Sequence, residues 1–323
     1  MNGKTRMLMK STTSRTHKSG SALIGHIAAA TAVAMWGYSF VSSKVLLENG
    51  LGPVQIYILR FLLAYIIVIF ISHRRLFAAS WKDEMLLAVC GMTSGSLYFI
   101  AENSALQYTL ATNVSLLTSM SPLLTAILLA MLYKHEKLGL GTWVGSALAI
   151  AGMACVVFNS STNIQVRPLG DILSLAAAFS WAVYSIILRK ISAGYDVWFI
   201  SRKTFIYGLI TALPFLAFEK WPEDFGGIMC RGEVIGNMLF LGLGASTIGY
   251  VLWAVGVRNI GALSANNYMY FQSVVTLVVS YFVLHEGITI IGIVGIILII
   301  GGLWAGDNIN LYLQKRCNRV KVG

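Results

Sequence analysis

Charge is scarce in this sequence of 323 residues, where Asp, Glu, Lys and Arg together make up 11% of the chain and hydrophobic residues make up 57%. A soluble domain carries roughly a quarter charged residues, so a water-soluble globular protein is excluded. Five long segments contain no charged side chain at all, and each is long enough for at least one bilayer crossing of roughly 20 apolar residues. They are residues 19–43, 103–133, 138–166, 234–257 and 259–285.

These apolar segments do not alternate between apolar and polar residues, as the strands of a membrane barrel do. Inside hydrocarbon the backbone must satisfy its own hydrogen bonds, which leaves helices as the remaining choice. The sequence therefore predicts an all-α integral membrane protein with ten transmembrane helices. The predicted spans are 22–43, 53–72, 85–107, 111–133, 138–158, 172–188, 197–218, 234–257, 262–284 and 288–305.

Cysteine is also scarce, and its four positions show neither CxxC spacing nor a histidine partner. We expect no metal and no other cofactor. The chain has no HExxH motif, no glycine-rich phosphate loop and no plausible nucleophilic triad, and its loops are too short for an ATP-hydrolysing domain or an appended sensor domain. An enzyme is not expected, although a membrane-embedded enzyme or a sensor stays open as an alternative class.

The net charge of +11 does not indicate nucleic-acid binding, because the basic residues lie at the ends of predicted helices instead of in one patch. Most of the 24 Lys and Arg residues fall on the side of the two basic tails, 1–21 and 306–323. Positively charged loops face the cytoplasm, so both termini are expected there, in a bacterial inner membrane. A cleavable signal at Ala32-Val33-Ala34 is a weaker interpretation, because the apolar run continues beyond it.

The two halves of the chain repeat each other. The first repeat covers residues 22–158, and the second covers residues 159–305. Because each repeat has five spans, an odd number, the second must be inverted relative to the first. Inverted repeats are typical of secondary transporters, although a duplication retained for stability is not excluded. The matching pairs are Trp36 with Trp181, Arg60 with Arg202, Glu136 with Glu286, Gly145 with Gly295 and Gly152 with Gly302.

The ordered motifs of the chain resemble the EamA family of the drug/metabolite transporter superfamily. The resemblance rests on Trp36-Gly37, Arg60, the run 102–113, the segment 121–125, Glu136, Gly145, Gly152, Gly170-Asp171, Trp181, Tyr184, Arg202, Glu286, Gly295 and Gly302. It implies export or exchange of amino acids, metabolites or drugs. One departure is Gln272, which stands where the proline corresponding to Pro122 would map.

Glu102 is the sharpest candidate for function, because an acid inside the membrane is costly and is functional by default. Gly91, Gly95, Tyr98 and Glu102 follow helical spacing, which predicts one face directed into the bundle. A carboxyl buried away from water takes up protons more readily, so Glu102 is predicted to bind a proton or a cationic group of a substrate. The alternatives are an acid that lies near the outer water interface, or a structural acid that pairs with a basic residue.

The remaining substrate-binding candidates are polar or aromatic side chains within the spans. With Glu102 they would form a mostly apolar cavity with a few polar groups, as small-molecule sites do. They are Trp36, Tyr98, Asn113, Ser119, Tyr184, Tyr250, Trp253, Asn266 and Tyr270.

A second set is predicted to be structural. Both glutamates would complement helix N-termini, the glycines would permit close helix packing, and the proline would kink its helix. An alternative role for Arg60 is to hold an anionic substrate group, and Lys203 is expected to be a cytoplasmic anchor. The set is Arg60, Arg202, Pro122, Glu136, Glu286, Gly145, Gly152, Gly295 and Gly302.

Together these observations predict a secondary transporter that exports amino acids or related small metabolites by alternating access, with proton coupling through Glu102. Uptake, exchange and multidrug efflux on the same fold are the alternatives. The expected partners are the lipid bilayer, a small-molecule substrate and protons, with no nucleic acid. The sequence does not decide whether two copies of the chain form a homodimer.

Overall fold

The computed structural model describes residues 3–73, 75–132, 140–159, 168–192, 194–260, 265, 268–287 and 289–320, and it contains no strand among them. Side chains are described from residue 22 onward, except for some within the helices 140–159 and 290–320. The glutamate predicted at position 136 and the asparagine at position 266 lie outside the described residues. The predicted all-α class agrees with every element of the described part of the chain.

Eight elements make up the first half of the chain. They are α1 (Gly3–Glu48), α2 (Pro53–Ile71), α3 (Trp81–Gly91), the π-helix π1 (Met92–Leu97), α4 (Tyr98–Tyr108), α5 (Ala111–Thr118), α6 (Ser121–Leu132) and α7 (Leu140–Asn159). The second half follows a similar order. It contains α8 (Pro168–Ile191), α9 (Val197–Leu216), α10 (Phe225–Met229), α11 (Gly232–Leu239), the π-helix π2 (Phe240–Ile248), α12 (Gly249–Ile260), α13 (Met269–Val283) and α14 (Ile290–Val320).

Six helical stretches are long and apolar enough to cross a membrane by length and composition. They are Ala22–Glu48, Pro53–Ile71, Trp81–Tyr108, Ala111–Leu132, Pro168–Ile191 and Gly232–Ile260. Shorter apolar helices occur at Met269–Val283 and Ile290–Gly302. The helix α9 has 20 residues but carries two adjacent charges, on Arg202 and Lys203. The chain is a multi-pass membrane protein.

Local chemistry explains where these helices begin. Pro53 opens α2, where its fixed φ suits the first turn and its missing N–H is not needed. The hydroxyl of Ser80 accepts a hydrogen bond from the N–H of Asp83 at 3.1 Å and so caps α3. The side chain of Asp196 caps α9 in the same way, because it accepts from the N–H of Trp198 at 3.1 Å.

The helices α2 and α9 pack side by side in opposite directions. At one end the guanidinium of Arg202, near the start of α9, donates to the carbonyl of Ser72, just after α2. At the other end Glu219, beyond the end of α9, accepts from the N–H groups of Val54 and Gln55 at 2.9 and 2.8 Å. The start of each helix therefore lies beside the end of the other.

A ladder of hydroxyl groups joins α5 to α13, which also run antiparallel. Each step pairs one hydroxyl from each helix at 2.8 or 2.9 Å, so these polar groups are satisfied without water. The pairs are Thr112 with Ser280, Ser115 with Thr276, and Ser119 with Ser273. Small side chains of this kind allow the two helices to approach closely.

Glycine sets the approach of α7 to α14. A Cβ atom added to Gly152 would lie 2.5 Å from the carbonyl oxygen of Gly295 and 2.8 Å from the side chain of Ile299. Only a residue without a side chain fits between these backbones. Gly145 and Gly302, from the same predicted packing set, are also buried.

The two π-helices interrupt the third long helix of each half, and their carbonyl groups accept hydrogen bonds from side chains. The indole N–H of Trp36 donates to the carbonyl of Ala245 in π2 at 3.0 Å. The hydroxyl of Ser180 donates to the carbonyl of Thr93 in π1 at 2.6 Å. The first helix of each half therefore contacts the π-helix of the other half.

The π1 segment also changes which residues share a face. Gly91 and Gly95 pack against Gly208 of α9, whereas Tyr98 and Glu102 face other neighbours, described below. The prediction that these four residues form one face assumed a regular α-helix. All four residues are buried inside the bundle, but they contact different helices, because hydrogen bonds from i to i+5 put more residues into a turn.

Candidate functional site

A small cavity lies between the two halves of the chain, within the helices. The volume available to water is about 20 Å³, room for a single water molecule. In this conformation the cavity therefore contains very little free volume. Its walls are Trp36, Ser39, Phe40, Arg60, Tyr98, Phe99, Glu102, Trp181, Tyr250, Met269 and Gln272.

Glu102 contributes the one acid of this cavity wall. Its side chain is 1% exposed, and Tyr98, one turn earlier on α4, interacts with the carboxylate. The Oε1 atom has no partner. Since an unpartnered buried oxygen costs free energy, this atom is available to a ligand.

Arg60 contributes the one base of the cavity wall and is also 1% exposed. Its Nε donates to the hydroxyl of Ser246 in π2 at 2.9 Å. Its guanidinium lies over the ring of Phe99, with the carbon Cζ 4.6 Å from the ring centroid. The Nη1 atom has no partner, so one edge of a firmly held guanidinium is free.

Arg60 and Glu102 interact electrostatically, but within the described part of the chain no ion pair of 4.0 Å or less joins them. The hydroxyl of Tyr250 and the Nε2 of Gln272 on the same wall are also without partners. Buried polar groups are nearly always hydrogen-bonded. Four unpartnered groups around one cavity therefore point to a polar ligand.

Aromatic rings close the other side of the cavity. The ring of Trp36 lies 5.8 Å from that of Trp181 and 5.6 Å from that of Tyr250, both in edge-on geometry. Tyr184 and Trp253, which we predicted to bind substrate, form a second layer. Tyr184 packs on Trp181 at 5.1 Å, and Trp253 packs on Trp36 at 5.2 Å.

Three further residues that we predicted to bind substrate lie away from the cavity wall. The amide of Asn113 donates to the hydroxyl of Thr109 at 3.3 Å, and Ser119 belongs to the hydroxyl ladder. Tyr270 packs against Leu116 and residues of α14. The polar faces of these two spans turn toward each other, because each satisfies the hydroxyl groups of the other.

Glu286 complements a helix N-terminus, but not that of the helix that follows it. Its carboxylate accepts from the N–H of Ala111 at 2.8 Å and from the N–H and hydroxyl of Thr112 at 3.3 and 2.9 Å. The residue before α5 is Leu110, which makes no side-chain cap, so these N–H groups need a distant acceptor. Glu219 serves α2 in the same way.

The interruption near Pro122 differs from the predicted kink. The chain leaves helical structure between Thr118 and Ser121, and Pro122 is the second residue of α6. A proline is tolerated in the first turn of a helix, where the N–H it lacks has no partner to lose. The break therefore comes before the proline.

We predicted Lys203 to be a cytoplasmic anchor. Its side chain is buried instead. It is 6% exposed and forms an ion pair with Glu84 of α3. The hydroxyl of Tyr207, one turn later on α9, donates to the same carboxylate oxygen. The sequence analysis missed this cluster because Glu84 lies one residue before the predicted third span.

Several residues of the cavity wall were not predicted from the sequence. Ser39, Phe40, Phe99 and Met269 carry no feature that separates them from other span residues. Gln272 carried a signal, since it is a buried amide at the position where the family resemblance implies a proline. Arg202 does contact backbone carbonyls, whereas Arg60 lines the cavity.

A wider depression opens at one end of the bundle, with a volume of about 570 Å³. Its wall includes Gly52, Pro53, Gln107, Glu219 and Lys220. The carboxylate of Glu219 is already bonded to the start of α2. Both oxygens of this carboxylate therefore have hydrogen-bond partners, whereas Oε1 of Glu102 has none.

Two helical halves with a small, partly polar cavity between them are the architecture of a membrane transporter. The model of the EamA-like transporter family matches residues 23–158 and 168–305 of this chain. The chain belongs to the EamA-like transporter family, with one family unit in each half. It is not an enzyme.

Curated proteins that are named as transporters are similar to this chain along nearly their whole length. The chain is 28% identical over 298 residues to a protein named "Probable amino-acid metabolite efflux pump" from Escherichia coli, with 90% of this chain and 96% of that protein covered. It is 27% identical over 289 residues to an uncharacterized transporter of Archaeoglobus fulgidus, with 86% and 96% covered. The uncharacterized transporter YetK of Bacillus subtilis is 25% identical over 303 residues, with 89% of each chain covered.

One solved structure, titled only as a crystal structure of a protein, has the same fold. Its TM-score is 0.64 at 19% sequence identity, and 91% of this chain and 99% of that chain are covered. At this identity the likeness concerns the fold alone.

Proposed function

We propose that this chain exports amino acids or related small metabolites across the bacterial inner membrane, in exchange for protons. The observation that carries the proposal is the closed cavity between the two halves, where Arg60 and Glu102 are buried and each keeps one atom without a partner. The printed name of the Escherichia coli relative supports the substrate class.

The proposal includes ten membrane spans arranged as two inverted five-helix repeats. The second and seventh spans, α2 and α9, run antiparallel, and so do the fourth and ninth, which contain α5 and α13. Equivalent helices of the two halves thus point in opposite directions. The reciprocal contacts of Trp36 with π2 and of Ser180 with π1 support the same symmetry.

In this proposal, the two inverted repeats produce the transport cycle. Two halves that are alike can exchange conformations, which opens one central site to each side of the membrane in turn. The cavity has room for one water molecule in this conformation, which is too little for a substrate. Substrate entry requires the halves to part around Trp36, Trp181 and Tyr250.

Glu102 provides the coupling in this proposal. Its unpartnered oxygen binds either a proton or the cationic group of a substrate, but not both. A proton arriving from outside therefore displaces the substrate outward, and deprotonation inside allows the next substrate to bind. The inward proton gradient drives export by this exchange.

A counterflow assay in proteoliposomes, with amino acids and metabolites screened across a pH gradient, tests the proposal. Glu102→Gln should retain folding and lose proton-driven transport by a factor of 10² or more, as removal of an essential proton acceptor does. Glu223→Gln, which changes an exposed acid of a loop, is the matched control and should be unaffected. Full proton-driven transport by Glu102→Gln, or no movement of any solute by folded protein, would contradict the proposal.

Orientation has its own test. Both termini are proposed to be cytoplasmic, with α2 and α9 crossing in opposite directions. Reporter fusions after residues 72 and 219 should therefore report opposite directions of crossing: residue 72 inside and residue 219 outside. The same compartment at both positions would contradict the inversion.

A further inference from the structure

We infer that the central cavity recognises a zwitterionic α-amino acid, with its carboxylate on Nη1 of Arg60 and its ammonium on Oε1 of Glu102. This inference rests on the proposed export function and names the substrate class of the same site. It assigns a role to each of the two charged atoms that the fold leaves unpartnered.

The charge of the cavity favours a ligand with no net charge. Among the residues that the structure describes, Arg60 and Glu102 are the two charged side chains on its wall, and their charges sum to zero. A ligand with a single positive charge would satisfy Glu102 and leave Arg60 buried without a partner, and a single negative charge would do the reverse. Since an unpaired buried charge is costly, a ligand that carries both charges fits the site best.

Arg60 and Glu102 face the same cavity from two different helices. Arg60 lies on α2 and Glu102 on α4. The amide of Asn103, the residue after Glu102, donates to the carbonyl of Pro53 at the start of α2 at 3.0 Å. This bond holds the Glu102 region of α4 beside α2.

The two charges are also held beside each other without cancelling. The guanidinium of Arg60 lies over Phe99, which is one turn before Glu102 on α4. Ser246 holds the Arg60 side chain by a hydrogen bond, and Tyr98 lies beside the Glu102 carboxylate on the cavity wall. Two opposite charges fixed near each other, each with a free atom, match the adjacent carboxylate and ammonium of an α-amino acid.

The aromatic wall addresses the remainder of the ligand. Trp36, Trp181 and Tyr250 present apolar ring surface, which suits an uncharged side chain. A third charge on the ligand would be buried against these rings without a partner. The inferred class is therefore α-amino acids with neutral side chains, aromatic or aliphatic.

A matched set of competitors tests this inference in the counterflow assay with purified full-length protein. The set is L-phenylalanine, its methyl ester, which lacks the carboxylate, and its N-acetyl derivative, which lacks the ammonium. L-Leucine with the same two derivatives forms a second series. At least one of the parent amino acids should compete at least tenfold better than either of its derivatives.

Two variants connect each charge to one residue. Arg60→Gln should raise the relative competition of the ester to within threefold of the free amino acid, and leave the N-acetyl derivative weak. Glu102→Gln should do the converse. Arg60→Lys, which keeps the charge, shows whether a weak signal reflects lost charge or lost folding, and it should retain discrimination against the ester.

The outcomes separate the inference from the proposed function. If the wild-type protein moves amino acids but accepts the ester or the N-acetyl derivative equally well, or if Arg60→Gln still discriminates against the ester, the inference fails and export stands. If another class of solute moves, such as organic cations without a carboxylate, the inference also fails. If folded protein moves nothing, the proposed function itself fails.

Discussion

Arg60 and Ser246 are separated by 186 residues and joined by one hydrogen bond of 2.9 Å, from the guanidinium Nε to the hydroxyl. The bond connects α2 of the first half to π2 of the second. Ser246 is fully buried, and its position in a π-helix brings its side chain to the cavity wall. The fold thus fixes the one cationic group of the cavity through a residue from the other half.

Ser246→Ala should weaken substrate binding without abolishing transport. The change leaves Nε of Arg60 unpartnered and the guanidinium less firmly held, at a cost of about 1–3 kcal/mol. We expect KM for the transported solute to rise about tenfold, with a smaller change in the maximal rate. Ser185→Ala, which removes a local helix hydrogen bond to Trp181, is the control. An unchanged KM in Ser246→Ala would show that Arg60 is positioned without this bond.

Trp36→Phe should destabilise the protein while keeping an aromatic ring on the cavity wall. It removes the N–H that bonds to the carbonyl of Ala245 in π2, and an unsatisfied buried carbonyl costs about 1–3 kcal/mol. Thermal unfolding in detergent would measure the loss. Trp221→Phe, at a half-exposed loop position, should leave the unfolding temperature unchanged. Equal effects of the two substitutions would argue against the bond to π2.

Lys203→Met should be among the most destabilising single substitutions in the chain. It leaves the carboxylate of Glu84 buried without its ion-pair partner, and breaking a buried pair costs about 3–5 kcal/mol. The double variant Lys203→Met with Glu84→Gln should recover part of this loss, since no charge then remains. Expression level and thermal unfolding measure both. No recovery in the double variant would mean that packing, not charge, sets the effect.

Glu286→Ala should destabilise the start of α5, because it removes the acceptor for the N–H groups of Ala111 and Thr112. Loss of a helix cap costs about 0.5–2 kcal/mol. Glu219→Ala removes the equivalent acceptor from α2 and should cost a similar amount. Hydrogen exchange at residues 111–114 and 54–57 would locate each effect. Exchange that stays slow at the affected helix start would contradict the capping role.

Gly152→Val should separate α7 from α14. A side chain at this position meets the backbone at Gly295, which cannot move aside as a side chain does. We expect a clear drop in the unfolding temperature. Gly301→Val is the matched control, because a Cβ there would have no neighbouring atom within 4 Å. A similar drop in both variants would mean that the close approach to Gly295 does not set the effect.

The helical membrane class and the position of Glu102 inside the bundle could be predicted from the sequence, because both follow from the distribution of charge. It also matched Trp36 with Trp181, and these two rings do meet at the cavity. It did not find the π-helices, since no residue pattern distinguishes Met92–Leu97 or Phe240–Ile248 from α-helix. The directions of the side chains beyond these segments could therefore not be predicted from the sequence.

Partners that come from distant parts of the chain were equally hidden from the sequence. Lys203 reads as a membrane-edge anchor until Glu84 is found beside it. Ser119 was predicted to line the cavity, but its partner is Ser273 on α13, 154 residues away. In each case the polar side chain was noticed correctly, and what it contacts depended on how the helices pack.

The π1 segment determines the direction in which Glu102 points. A residue in an α-helix turns about 100° from its predecessor, and the i to i+5 bonds of π1 fit about one more residue into the same turning angle. The same six residues in regular α-helix would therefore rotate everything that follows by about that angle, and the acid would leave the cavity and face a neighbouring helix or lipid. Deleting one residue between Met92 and Leu97 would instead allow regular α-helix with Glu102 still directed at the cavity.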